Sequence, residues 1–190
     1  VFKFGLFDAG NDWWWAIDNI TVAIGEPQPA LVPASEGFSS LVLGPNVDEE
    51  LAGDAVWTKT APSGWSIDDS GVPGVGDPAL DGVTEWAGWS FADKDWWAQA
   101  TGDQRRSEFT KATGTIAIAD GDEWDDQDHA EGYLNTFMSW PVTISGAAEG
   151  SLELHFDSSW RPEYDSNYHQ TANITVSYDG ADPVEVMLWE

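Results

Sequence analysis

Apolar and polar residues alternate with a period of two in many short stretches of this chain, which is the pattern of strands with one buried face. Ile116 and Ile118 share a face in TGTIAIAD; Leu152, Leu154 and Phe156 share one in SLELHFDSSW; Ile174, Val176 and Tyr178 share one in TANITVSYDG. VFKFGLF puts Phe2, Phe4 and Leu6 opposite Lys3, and PVEVMLWE alternates in the same way. Turn sequences separate these stretches: DAGND at 8–12, GAAEG at 146–150 and DGADP at 179–183. The pattern predicts an all-β fold of half-buried antiparallel strands. Only FADKDWWAQATGDQRRSEF, residues 91–109, offers a candidate helix.

Residues 45–103 break the pattern. They are rich in Gly, Pro and Asp with tryptophans set among them, and predict long ordered loops pinned by aromatic rings. EPQPALVPAS, residues 26–35, carries three prolines in ten residues and reads as an extended tether.

Charge narrows the choice of partner. The chain of 190 residues has 34 acidic and 7 basic residues, a formal charge of −27 that repels phosphate backbones and anionic membranes and excludes nucleic acid as a partner. Screening such a charge suits a saline or calcium-rich setting. There is no cysteine, hence no disulfide framework, and no run of 18 apolar residues that would insert into a membrane as a helix.

Two acidic features are candidate calcium ligands. ADGDEWDDQDHAEG at 119–132 concentrates carboxylates, Asp120, Asp122, Asp125 and Asp126 among them, as a hard cation requires, although its spacing is not that of an EF-hand. A solvated acidic loop is the alternative. In WWWAIDNITVAI, Trp14, Ala16, Ile20, Val22 and Ile24 alternate as a core face with Asp18 in their midst. An inward carboxylate needs a cation or several donors, and a local bulge turning it outward is the other reading. On this alternation Trp13 and Trp15 face away from that core.

Thirteen tryptophans are an unusual number for a chain this acidic. Trp86, Trp89, Trp96 and Trp97, in the loop-rich stretch, are candidate platforms for stacking a sugar, or else plugs over the sandwich. Trp160 and Arg161 in SSWRPE form a further candidate contact, with an internal salt bridge as the alternative role of the arginine. Glu85 and Asp93 could form a glycosidase-like acid pair, but any pair drawn from 34 acids would serve as well, and His129, His155 and His169 lack catalytic metal spacing. No active site is expected.

GNDWWWAIDNITV resembles the closing strand of MAM-like and galactose-binding-like jelly-roll modules, and GFSSL, VWTKTAPSGW, GTIAIADGDEWDD, LNTFMSWPVTISG, LELHFDSSWRPE and ITVSYDG resemble the body of such a module in its usual order. The resemblance implies an extracellular, non-catalytic antiparallel jelly-roll β-sandwich, often calcium-stabilised, with Asp18 as a cation ligand and Glu36 as a second. It divides the chain into a closing strand pair at 1–25, the tether at 26–35 and a body at 36–190. The closing pair precedes the body here, so it is expected to complete its own sandwich or that of a neighbouring chain or repeat. The tether reaches about 31 Å at 3.1 Å per residue, enough for either. The expected function is a calcium-stabilised structural or adhesive repeat, assembling head-to-tail with copies of itself by donor-strand exchange; the alternative is a polysaccharide-binding module of a larger secreted enzyme.

Overall fold

The computed structural model describes residues 1–10, 13–25, 31–145, 147–148, 150–162 and 169–190, with only the backbone at 31–33. Half of the proline-rich tether, residues 26–30, therefore lies outside the described residues. Among the described residues eleven strands form two antiparallel sheets, and the chain is an all-β sandwich.

The first sheet has the order β11 (Val184–Trp189), β10 (Thr171–Val176), β1 (Phe2–Ala9), β8 (Leu134–Trp140), β5 (Ser66–Gly71). In the second, β2 (Trp14–Ile24) pairs along one edge with β9 (Leu152–Trp160) and along the other with β7 (Thr115–Asp120) and β3 (Leu31–Glu36); β6 (Ser90–Asp93) and β4 (Trp57–Thr58) follow β7. Residues 1–24 thus supply an interior strand to each sheet of their own chain, and both β1 and β2 are paired on both edges. Phe2, Phe4 and Leu6 turn into the core as their alternation predicts.

β2 departs from its predicted alternation. Its pairing with β9 slips by one residue between Asp18 and Thr21, where Asn19 takes a left-handed φ of 53°. A bulge of one residue exchanges the two faces of a strand. Trp15 lies opposite Trp160, Val22 opposite Leu154 and Ile24 opposite Leu152, so Trp15 and Ile17 share the inner face with Ile20, Val22 and Ile24, while Trp14, Ala16 and Asp18 face outward. Trp15 accordingly meets Phe4 of the opposite sheet, at 6.2 Å between ring centroids. The expectation that Trp15 faces away from the core is corrected by this bulge.

The outer face of the second sheet is buried as well. Helix α1 (Lys94–Ala100) arises in the predicted helical stretch, its first turn capped by the Asp93 side chain accepting from the N–H groups of Asp95 and Trp96. α1 and the segment after it lie over Trp14, with Trp97 edge-on at 5.7 Å. Covered on both faces, β7 buries all six of its residues. Short helical turns at Thr84–Trp86, Arg106–Glu108 and Gly121–Trp124 tie the loops to this layer.

Candidate functional site

The covering layer determines what the acidic loop does. Asp120 lies on the outer face of β7, opposite Trp14, and is fully buried. Its Oδ2 accepts from Arg106 Nε at 2.9 Å and Trp97 Nε1 at 2.8 Å; its Oδ1 accepts from Arg106 Nη2 at 3.0 Å and the Glu123 N–H at 3.3 Å. Four donors occupy the acceptor positions of one carboxylate. Arg106 also reaches Asp122 at 3.0 Å and Glu123 at 2.8 Å, and stacks over Trp14 at 4.3 Å. Burial opposes its charge, yet the facing Asp120 holds its pKa above the ordinary arginine value. Burial, with Asp120 and Asp122 nearby, pushes Glu123 up to about 9.

A guanidinium thus takes up the buried carboxylate at the start of the acidic loop. Asp120 and Asp122 are held by Arg106, while Asp18 lies four residues along β2 from the Trp14–Asp120 pair. Asp18 accepts from the N–H groups of Asn19 at 2.7 Å and Thr113 at 3.3 Å, the several-donor alternative to a cation; burial leaves its pKa raised. Glu36 accepts from the Phe38 N–H at 2.7 Å. Asp125 has a partner of its own, and Asp126 lines a separate acidic pocket of about 390 Å³ with Asp48, Glu49, Glu50 and Glu123. Among the described residues no three or more His, Asp or Glu side chains are gathered as a metal site.

The four loop tryptophans are enclosed. Trp86, Trp89 and Trp97 have no exposed surface and Trp96 is 7% exposed. Trp86 stacks with Trp96 at 6.0 Å, Trp89 meets Trp15 at 5.3 Å, and the Trp96 indole donates to the Leu51 carbonyl at 2.9 Å. None of the four offers a ring face to a sugar, which corrects their assignment as platforms: in a sandwich with a covering layer, loop indoles fill space between layers. Glu85 and Asp93 do not converge as an acid pair either. Glu85 accepts from the N–H groups of Val47 and Asp48, and Asp93 caps α1.

Trp160 and Arg161 come together at an open groove of about 530 Å³, between the end of β9 and the segment 105–111. Its walls include Trp14, Trp160, Arg161, Arg105, Lys111 and the hydroxyl residues Ser158 and Ser159. Arg161 lies over the Trp13 ring with its guanidinium carbon 3.2 Å from the centroid, and donates to the Gln104 carbonyl at 2.5 Å. Trp160 is braced by Trp15 at 6.3 Å and Trp189 at 6.0 Å. Arg105 pairs with Glu108 at 3.0 Å and Lys111 with Asp157 at 3.3 Å, all but Asp157 on well-exposed side chains. The contribution of segment 105–111 had no signal in the sequence beyond the rarity of its basic residues.

No protein family, curated protein or solved structure matches the chain.

Proposed function

We propose that this chain is a non-catalytic β-sandwich module, jelly-roll in kind, that works outside the cell by binding a polysaccharide in the groove at Arg161. One observation carries the reading: an open groove gathers the half-buried Trp160, the hydroxyl residues Thr110, Ser158 and Ser159, and the Arg161 guanidinium, which is stacked on the half-buried Trp13. Sugars are held by ring faces together with a few fixed polar groups, and an open groove admits a chain where an enclosed pocket admits only an end. The test is a glycan array probed with the intact chain. Saturable binding that Trp160→Ala weakens supports the reading; no binding to any glycan overturns it.

A second reading, a structural repeat that assembles head-to-tail, draws on the first sheet's edge. β11 is an edge strand whose Val184, Val186 and Leu188 are 60%, 57% and 47% exposed, and such edges invite strand addition. A concentration-dependent mass in solution is what this reading requires.

A further inference from the structure

We propose that the groove selects an anionic saccharide, with Arg161 receiving a carboxylate or sulfate group of the sugar; this rests on the polysaccharide reading above. Basic residues are scarce in this chain, 7 against 34 acids. Three of them, Arg105, Lys111 and Arg161, line this groove, and among the described residues the only acidic one on its wall is Glu108. Arg105 is paired with Glu108 and Lys111 with Asp157, so the positive excess at this wall rests on Arg161, in a molecule of charge −27. Charges further away than about 8 Å are screened at physiological salt, so contact in the groove is decided by this local set.

Arg161 itself is the sharper observation. Among the described residues, Arg105 and Arg106 each have a carboxylate within 3.0 Å, whereas no carboxylate lies in ion-pair range of Arg161. With acids in such excess, an arginine that has no ion-paired carboxylate among the described residues and stands beside two other arginines is held at a cost. Burial and the charges of Arg105 and Arg106 lower its pKa, the direction expected of a cation short of an anion. Its plane is fixed on Trp13, and its hydrogen bond to Gln104 uses Nη1 alone. A planar, pre-oriented guanidinium suits two-point capture of a carboxylate or sulfate, and a neighbouring indole suits the sugar ring that carries it. Lys111 and Arg105, on exposed side chains, add rim charge that raises encounter more than it holds the complex.

The experiment is calorimetric titration of the intact chain with tetragalacturonate, with the same tetramer fully methyl-esterified, and with a sulfated disaccharide. Binding of the acid at least about tenfold tighter than the ester is expected, with Arg161→Gln abolishing the difference and Arg161→Lys retaining part of it. Lys111→Ala should weaken the acid a few-fold with an unchanged Tm, and Lys3→Ala, the same loss of charge on the other sheet, should change nothing. Equal affinity for acid and ester would overturn the anionic selection and leave the polysaccharide reading standing. Retention of the full acid preference in Arg161→Gln would overturn the role of Arg161. Failure of all three probes to bind, while a neutral glycan binds, would likewise refute the selection; failure of every saccharide refutes the polysaccharide reading itself.

Discussion

Arg106 and Asp120 meet through two parallel hydrogen bonds of 2.9 and 3.0 Å, on side chains that keep no contact with solvent. The pair joins the covering layer to the central part of the second sheet, and Trp14 and Trp97 close around it.

Removing one partner strands the other charge in a dry site. Arg106→Met is expected to cost about 3–5 kcal/mol of folding stability, whereas adding Asp120→Asn should restore part of the loss. Urea denaturation of the two single variants and the double variant measures this. Additive losses would show that the two groups do not act as a pair.

The neighbouring Glu123 makes stability depend on pH. An unperturbed glutamate loses its proton near 4.5 and Glu123 near 9, so across that window the folded chain holds a proton the unfolded chain has released. The stabilisation from this proton is complete below 4.5 and is lost as pH rises toward 9, by at most about 1.4 kcal/mol per unit. Glu123→Gln should flatten the fall in Tm between pH 5 and 9 and melt above the parent chain at pH 8. An unchanged slope would assign the pH dependence to other carboxylates.

Loop tryptophans that fill space between layers are needed for folding. Trp89→Ala and Trp97→Ala are each expected to lose about 3–5 kcal/mol, since each removes a fully enclosed indole. A glycan-binding defect in either variant without a fall in Tm would return them to the role of platforms.

Deleting residues 1–25 removes the strand shared by β8 and β10 and the one shared by β7 and β9. The remaining chain should aggregate or stay unfolded, with far-ultraviolet circular dichroism as the readout, and a synthetic peptide of residues 1–25 added during refolding should recover the strand signal. A truncated chain as stable as the parent would refute this role for the N-terminal strands.

The backbone strain of the β2 bulge is open to a small test. Asn19 tolerates its left-handed φ because its short side chain hydrogen-bonds nearby, here to Asp157 at 3.0 Å. Asn19→Gly should be nearly neutral, whereas Asn19→Val should cost about 1–3 kcal/mol in thermal melts. Equal stability of the two variants would show that the bulge relaxes freely.

The period-two alternation by itself determined that the chain is built of strands, because a half-buried strand must alternate whatever it pairs with. Phe2, Phe4 and Leu6 on β1 and Ile174 and Val176 on β10 could be assigned to a buried face on that ground alone. The single bulge at Asn19 was not legible with the same certainty: one residue in a left-handed conformation reverses the faces of Trp14 and Trp15 relative to Ile20 and Val22 while leaving the composition of the strand unchanged. The fate of the acidic residues was decided only in three dimensions. Carboxylates attract any cation, and only the packing of residues 94–114 across the second sheet brought Arg106 onto Asp120. The same packing put Trp86, Trp89, Trp96 and Trp97 under cover and left Trp160 and Arg161 beside an open groove with Arg105 and Lys111, residues about fifty positions away in the chain whose proximity depends on the tertiary fold.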